Sequence, residues 1–450
     1  MRRNLLLIAA VLLTTACCRT ESDPVLNFLN NRFGMFIHYN MGTIHAEQWA
    51  KPNHDPKSFN PQNIDCKQWA RGAKSAKMEY AVFTTKHHDG FCLWDSAVTE
   101  YDVASSPYRG DIVREYVDAF RGEGIKVGLY FSVWDRTQGI EKGAVTAADI
   151  EFTKAQLTEL LTNYGEIECL VIDGWGSIWG KSPTFNDIPY STLADHIHSL
   201  QPNCLVINHS CKTDRSVTQL VHYEATHGQH CPYDNTIPSQ QGPTLQPTWF
   251  WEAGYETLPL RSLDLILSEL NFCNSRYANY LLNAAPNADG RMDENVMQRL
   301  KEIGERWVKP APLKSLATES KPNAAVRAEA STTAKGFDVR STLDADLFTV
   351  WQPEQGDDRP TITLDFGRKE RFNKVVCGAG HNHFDPIEAF QIEAKVDGEW
   401  VVIAKRDAAM KVHFEAMFNV EPAQRYRLVI TQYKRGKKLP QIGELTFALL

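Results

Sequence analysis

The chain has 450 residues, which is enough for two or three domains. It carries 48 Lys and Arg residues against 55 Asp and Glu residues, a formal net charge of −7. This mild acidity argues against a nucleic-acid partner. Beyond the N-terminus, no apolar run approaches the ~20 residues of a membrane-spanning helix.

Residues 1–16 have the pattern of an export signal. Arg2 and Arg3 precede a short apolar core, and the segment ending Thr15-Ala16-Cys17 resembles a bacterial lipobox. Such a segment is too short and wrongly flanked for a transmembrane span. It predicts cleavage after Ala16, lipidation of Cys17, and a periplasmic or outer-membrane location in which only the lipid touches the membrane. Plain cleavage without lipid is the alternative. Residues 17–27 would form a tether.

Besides Cys17 and Cys18, eight cysteines are scattered along the chain without CxxC pairs or zinc-ligand spacing. Several lie within apolar runs, such as Cys169 before Leu170 and Val171. This placement predicts buried free thiols.

Residues 28–310 alternate strand-like apolar runs with helical patterns, which predicts a parallel sheet. No GxGxxG follows the first run, so dinucleotide binding receives little support. Eight strands favour a (β/α)8 barrel, an α/β fold, over an open doubly wound sheet. They are predicted at 33–39, 80–85, 126–132, 168–172, 204–208, 219–223, 248–251 and 279–283.

The pattern changes after Pro310-Ala311-Pro312, which predicts a linker over 311–321. Residues 322–450 show short β runs with turn residues and no pattern of helical length. An all-β sandwich is the natural interpretation. Its strands are predicted at 361–366, 374–377, 390–396, 400–403, 412–414, 426–431 and 444–449.

Barrel enzymes place their active sites at the carboxyl ends of the strands. Here those ends are rich in His, Trp, Tyr and carboxylate and hold a single lysine, Lys86, which suits a neutral polyol better than an anion. In strand order they supply His38; His87, His88 and Asp89; Tyr130 and Trp134; Asp173; Asn208 and His209; Glu224; Trp249, Trp251 and Glu252; and Asn283.

Two carboxylates among aromatic side chains suit glycoside cleavage, which needs a nucleophile or base and a proton donor. Asp173 ends an apolar strand beside Gly174 and is the candidate nucleophile. Glu224, at the end of strand six, is the candidate proton donor, and Glu252 is its rival. Aromatic surroundings raise the pKa of a carboxyl, as a proton donor requires.

The histidines allow a second chemistry. His38, His87 and His88 converge in this arrangement and could ligate a metal, with Asp89 or Asp173 completing the set. However, strand one offers a single histidine rather than an HxH pair, and the adjacent His87 and His88 point in different directions. Hydrogen bonding to sugar hydroxyls is the favoured role, and no cofactor or metal is predicted.

At these residues the chain resembles the α-L-fucosidases of glycoside hydrolase family 29. The similarity covers most of residues 28–310. It is carried by Arg32-Phe33-Gly34-Met35-Phe36-Ile37-His38, Lys86-His87-His88-Asp89-Gly90-Phe91, Leu93-Trp94-Asp95-Ser96, Gly128-Leu129-Tyr130-Phe131-Ser132 and Leu282-Asn283-Ala284-Ala285-Pro286-Asn287.

The resemblance implies an exo-acting, retaining, metal-free hydrolase of terminal α-L-fucose on oligosaccharides or glycoconjugates. Carried over, Asp173 is the nucleophile. The implied sugar-binding residues are His38, Trp49, His87, His88 and Tyr130, to which position on strand seven adds Trp251. Val171 and Gln48 depart from the family pattern, which leaves a related sugar such as an α-L-galactoside open.

The C-terminal region resembles a discoidin-like carbohydrate-binding sandwich. The resemblance rests on Leu343-Asp344-Ala345-Asp346, Thr349-Val350-Trp351, Leu364-Asp365-Phe366-Gly367 and Gly443-Glu444-Leu445. Together with the predicted lipid anchor, it motivates a second hypothesis, a surface glycan-binding protein with a degenerate barrel. The presence of both Asp173 and a plausible acid argues against that hypothesis.

Overall fold

The computed structural model describes residues 23–450, apart from 178, 380–385, 411, 435 and 437. The predicted signal and Cys17 lie outside this part of the chain. The architecture is a parallel eight-stranded barrel followed by two antiparallel sheets. Across the described residues, no helix combines the length and apolar character that a membrane crossing requires.

The barrel strands alternate with helices, as the sequence predicts. The strands are β1 Phe33–Ile37, β2 Tyr80–Lys86, β3 Lys126–Ser132, β4 Cys169–Asp173, β5 Leu205–Asn208, β6 Val221–Glu224, β7 Ser239–Gly242 and β8 Ala278–Asn283. The helices are α1 Pro24–Leu29, α2 Met41–His45, α3 Cys66–Ser75, α4 Ile112–Gly122, α5 Ala147–Asn163, α6 Tyr190–Leu200, α7 Leu263–Asn274 and α8 Glu294–Arg306.

The strands follow the order β5-β4-β3-β2-β1-β8-β7-β6, and all their pairings are parallel. The barrel closes between β5 and β6, where the backbone amide of Gln219 donates a hydrogen bond to the Val206 carbonyl at 3.0 Å. Both faces of the strands are buried, which explains their nearly continuous apolar sequences. Phe36, Tyr130 and Val171 pack inside the barrel, while their neighbours along each strand pack against the helices.

The seventh strand lies elsewhere than predicted. The structure places β7 at Ser239–Gly242 rather than at 248–251. Gln240 of this strand forms hydrogen bonds with side chains of other strands inside the barrel. It accepts a hydrogen bond from His222 at 2.8 Å and donates one to Tyr80 at 2.7 Å. A buried polar strand of this kind carries no apolar pattern, whereas the Trp-Phe-Trp run that resembled a strand forms a loop after β7.

The C-terminal domain contains two antiparallel sheets. Their strands are β9 Arg327–Ala330, β10 Thr361–Glu370, β11 Lys374–Gly378, β12 Ile387–Val396, β13 Glu399–Arg406, β14 His413–Met417, β15 Ala423–Tyr433 and β16 Glu444–Ala448. The five-stranded sheet has the order β13-β12-β15-β10-β9, and the three-stranded sheet has the order β14-β11-β16. A separate apolar core lies between them. Strand β9 was not predicted, because its residues alternate small and charged side chains.

Charged side chains join the two domains. Glu269 of α7 is buried and contacts both Arg261 and Lys374, the latter on β11. Lys374 also contacts Glu415 of β14 at 2.9 Å. Because these charges are paired, the interface avoids the cost of an isolated buried ion. The sandwich is thereby fixed beside the loops that follow β6 and β7.

Candidate active site

A cavity of about 380 Å³ lies at the carboxyl ends of the barrel strands. A larger hollow of about 700 Å³ lies near the opposite end, beside the start of β3 and β5, where Lys126 and Glu168 already form an ion pair. The smaller cavity is the chemical site, because it gathers titratable groups from most of the strand ends. Its lining includes His38, Gln48, Trp49, His87, His88, Trp134, Asp173, Trp179, His209, Glu224, Thr226, His227, Pro247 and Trp249.

Asp173 is the last residue of β4 and faces this cavity. Its Oδ2 accepts a hydrogen bond from the Tyr130 hydroxyl at 2.7 Å and lies 3.4 Å from His209 Nδ1 and 3.6 Å from His88 Nε2. Burial alone would raise the pKa of Asp173, but His88, His209 and the Tyr130 hydroxyl hold it well below its usual value. The carboxylate is therefore ionised.

Gly174 lets the chain turn sharply after Asp173. Its φ is +61°, in the left-handed region that favours glycine. An added Cβ would also lie 2.6 Å from Cβ of Trp134. Both constraints favour glycine, so the end of β4 is fixed against the loop after β3.

Three histidines beside Asp173 are neutral. Burial lowers the pKa of His38 to about 3 and lowers those of His87 and His88. His38 Nδ1 donates to the Asn283 side-chain oxygen at 2.7 Å, which leaves Nε2 as an acceptor. The His87 ring is nearly parallel to the Tyr130 ring, with centroids 5.7 Å apart. Neutral imidazoles in fixed positions are suited to hydrogen bonding with hydroxyl groups.

Glu224, the last residue of β6, is buried and faces the same cavity. His227 Nδ1 lies 2.7 Å from its Oε1, and the Cys211 thiol donates to its Oε2 at 3.2 Å. Burial raises the pKa of Glu224, but the charge and hydrogen bond of His227 outweigh it and lower the pKa to about 2. The protonation state of Glu224 thus depends on His227.

Indole rings form much of the cavity wall. Trp49 lies at the rim with 44% of its surface exposed, and its ring meets those of His88 and Trp134 edge-on, each with a centroid distance of 5.4 Å. Trp179 lies 5.0 Å from the His227 ring, and Trp249 lies 4.9 Å from His38. Aromatic faces beside hydrogen-bonding groups match the mixed apolar and polar surface of a pyranose.

Three residues predicted to belong to the site do not line the cavity. Tyr130 lies in the barrel core below the cavity and reaches it through its hydroxyl contact with Asp173. Trp251 does not line the cavity; its indole nitrogen donates to Asp293 at 2.7 Å, and Trp249 lies in the wall instead. Glu252 is likewise outside the lining and accepts a hydrogen bond from Gln48 at 2.9 Å. Because β7 lies at Ser239–Gly242 rather than at 248–251, Trp251 and Glu252 do not stand at the end of a barrel strand and do not line the cavity.

The structure adds Trp179 and His227 to the candidate site. His209 directly follows β5, where the sequence already named it without assigning it a role, and it contacts Asp173. Its pKa is raised, because Asp173 and Glu224 together outweigh the lowering effect of burial. His227 follows Glu224 by three residues, a spacing that places both on one short helical turn. Trp179 lies on an irregular loop whose sequence gives no such signal.

A metal ligand set is also conceivable within the described part of the chain. Atoms of His87, His88 and Asp173 lie within 4.8 Å of one another. Two of the three already have hydrogen bonds that account for their positions: His88 Nδ1 lies 2.7 Å from the Ser132 hydroxyl, and Asp173 accepts from Tyr130. Removal of divalent cations by chelation distinguishes a metal site from a hydrogen-bonded one.

A family model described as alpha-L-fucosidase matches residues 53–311. Alpha-L-fucosidase 1 of Arabidopsis thaliana is 27% identical, with 94% of this chain and 86% of the relative aligned. The human tissue alpha-L-fucosidase is 25% identical, with 72% and 75% aligned.

Solved structures show the same architecture. A glycoside hydrolase 29 family member from an unknown rumen bacterium superposes with a TM-score of 0.58 at 26% identity, covering 95% of this chain and 77% of the other. A Ruminococcus gnavus GH29 fucosidase in complex with fucose superposes with a TM-score of 0.55 at 19% identity, covering 95% and 94%. The latter likeness concerns the fold alone.

Proposed function

The chain belongs to the α-L-fucosidase family, glycoside hydrolase family 29, and from that premise we propose that it releases terminal α-L-fucose from glycans by double displacement. One observation carries the proposal: an ionised Asp173 and a buried Glu224 face the same cavity among neutral imidazole and indole rings. A cavity of about 380 Å³ suits removal of a single terminal sugar.

Asp173 acts as the nucleophile. Its carboxylate attacks the anomeric carbon and forms a fucosyl-enzyme ester, while the bond to the leaving oxygen breaks. The Tyr130 hydroxyl, 2.7 Å from Oδ2, fixes the carboxylate before the reaction. His88 and His209 keep the carboxylate ionised in a site from which the substrate excludes water.

Glu224 acts first as acid and then as base. It protonates the leaving oxygen, and later takes a proton from the water that opens the ester. The contact with His227 lowers the pKa of Glu224 to about 2. Bound sugar removes water from Glu224, which disfavours its charged form and raises its pKa, so that the carboxyl holds the proton that it donates.

The sugar is recognised by hydroxyl contacts. His38, His87 and His88 are buried and neutral, and together they present ring nitrogens to one side of the cavity. Trp49 and Trp249 offer apolar surface to the ring carbons and the C5 methyl group. Among the residues that the structure describes, the cavity lining includes no Lys or Arg, which suits an uncharged sugar.

Replacement of Asp173 by alanine tests this function. Wild-type enzyme should release fucose from an aryl α-L-fucoside and from at least one of α1,2-, α1,3-, α1,4- or α1,6-fucosylated oligosaccharides. Asp173→Ala should lower kcat by at least about 10³-fold, and azide should partly restore turnover by taking the place of the carboxylate. If the wild-type chain hydrolysed none of these fucosides but bound glycans measurably, the result would instead support a glycan-binding protein with a degenerate barrel.

The export hypothesis concerns residues outside the described part of the chain. We propose that Cys17 carries lipid and anchors the enzyme to a membrane of the cell envelope. Labelled palmitate should be incorporated by the wild-type chain and not by Cys17→Ser. Equal labelling of both chains would exclude Cys17 as the lipidation site.

A further inference from the structure

A second hollow adjoins the catalytic cavity. It encloses about 460 Å³, within the ~300–1,000 Å³ range of small-molecule sites. Thr226 and Pro247 line both hollows. The remaining wall comes from the loop between β7 and α7, including Pro259 and Arg261, and from His413 and Glu415 of the β-sandwich. Both domains therefore build this hollow.

The hollow lies on the side of the catalytic cavity towards which the leaving group would depart. A proton donor lies on the side of the bond where the leaving oxygen emerges. Glu224 is that donor under the proposed function, and Thr226 is two residues further along the same loop. A glycan attached to fucose would therefore pass Glu224 towards Thr226 and Pro247.

We propose that this hollow binds the sugar units to which the fucose is linked, so that the β-sandwich supplies part of the leaving-group site. The inference rests on the proposed function and extends it to the substrate beyond fucose. The ligand class is a neutral oligosaccharide, held by hydroxyl contacts and by packing against proline and imidazole surfaces.

The charges around the hollow favour a neutral ligand. Arg261 and Lys374 are matched by Glu269 and Glu415, so among the described residues of the hollow no Lys or Arg lacks an acidic partner. Glu415 keeps 28% of its side chain exposed, and Lys374 holds its Oε2 at 2.9 Å. A carboxylate fixed in this way accepts hydrogen bonds from hydroxyls and repels sulfate or sialic-acid carboxylate.

His413 links the hollow to the catalytic loop. An added Cβ on Gly228 would lie 2.7 Å from Cβ of His413 and 3.0 Å from Cα of Gly378. Gly228 directly follows His227, the partner of Glu224. Burial lowers the pKa of His413, so the ring is neutral and can both donate and accept a hydrogen bond. The sandwich thus packs against the loop that carries the proton donor.

Selective loss of activity on oligosaccharides tests the proposal. The substrates are an aryl α-L-fucoside, whose leaving group is a single ring, and the fucosylated oligosaccharide that wild-type enzyme cleaves best. His413→Ala and Glu415→Gln should each lower kcat/KM on the oligosaccharide by about tenfold or more, with a much smaller effect on the aryl fucoside. Pro259→Trp, on an exposed loop, should fill the hollow and give the same selective loss without disturbing the ion pairs.

Asp264→Asn is the matched control, because this exposed carboxylate on α7 pairs with Arg306 and lies outside the hollow. It should behave as wild type on both substrates. Oligosaccharide activity that is unchanged in Pro259→Trp, or that falls in parallel with aryl fucoside activity in all three hollow variants, would overturn the proposal. A wild-type chain inactive on the aryl fucoside would instead show that the proposed function itself has failed.

Discussion

His227 is the neighbour that lowers the pKa of Glu224 most strongly. Their 2.7 Å contact lowers the pKa of Glu224 to about 2, although burial acts in the opposite direction. His209 and Asp173 face the same carboxylate from neighbouring strand ends, Cys211 donates to it, and His413 of the sandwich lies close to His227. One neighbour on a short turn thus outweighs the aromatic and apolar environment that the sequence suggested.

Replacement of His227 by asparagine should therefore move the pH profile. The variant removes the His227 contact that lowers the pKa of Glu224 and leaves the burial that raises it. Because the proton donor is lost when Glu224 ionises, the alkaline limb of kcat/KM on an oligosaccharide should shift to higher pH. His54→Asn, which removes a partner of Glu47 outside the cavity, is the control. An unmoved alkaline limb would contradict the pairing.

Glu224 and Glu252 are distinguished by leaving-group dependence. Glu224→Gln should lower kcat/KM on oligosaccharides by about 10²–10⁴-fold and have a far smaller effect on aryl fucosides, whose leaving oxygen needs little protonation. Glu252→Gln should have little effect on either, because Glu252 bonds Gln48 outside the cavity lining. The opposite ranking of the two variants would make Glu252 the acid.

Chelation addresses the metal alternative. The proposed chemistry uses two carboxylates, so exhaustive dialysis against EDTA should leave kcat on an aryl fucoside unchanged. His87, His88 and Asp173 are close enough to share an ion. Loss of turnover on chelation, with recovery on adding a divalent cation, would replace the proposed mechanism by a metal-dependent one.

The candidate site was predictable from the sequence where it sits directly on strand ends. His38, His87, His88, Asp173 and Glu224 all line the cavity, because each follows a strand with a clear apolar pattern. The seventh strand shows where such prediction stops. Its buried side chains are glutamines whose partners come from distant parts of the chain, so the tryptophan-rich loop gave the stronger apolar signal and Trp251 was chosen instead of Trp249.

The same glutamines make β7 sensitive to substitution. Gln240 accepts from His222 at 2.8 Å and donates to the Tyr80 hydroxyl at 2.7 Å, all within the barrel. Gln240→Leu would leave buried polar atoms without partners and should lower the free energy of unfolding by about 2–3 kcal/mol in urea titrations. Gln298→Leu, at an exposed position of α8, should leave the free energy of unfolding nearly unchanged. Equal stability of the two variants would show that the network contributes little.

At the scale of the whole molecule, a barrel and a sandwich share a charged interface. The sequence indicated both folds but not their contact, because Arg261, Glu269, Lys374 and Glu415 lie far apart in the chain and carry no common motif. Their pairing is a property of the folded state alone. It holds strand β14 beside the loops after β6 and β7, which is how a non-catalytic domain comes to line a hollow next to the active site.

Lys374→Met should reveal the strength of this interface. Lys374 is almost fully buried, and its loss leaves Glu415 with only the 3.5 Å contact to Arg261. Removal of one partner of a buried pair typically costs about 3–5 kcal/mol, measurable as a lower midpoint of denaturation. Lys405→Met removes an exposed cation and should leave the midpoint in place. Identical midpoints in the two variants would mean that the Lys374 ion pairs contribute little to the stability of the interface.

The central claim is that Asp173 cleaves an α-L-fucoside through a covalent intermediate. The most direct measurement is proton NMR of the fucose released in the first seconds of hydrolysis, before mutarotation. Double displacement predicts that α-L-fucose forms first and that the β anomer appears later. Initial release of β-L-fucose would contradict the account, because it requires a single displacement by water.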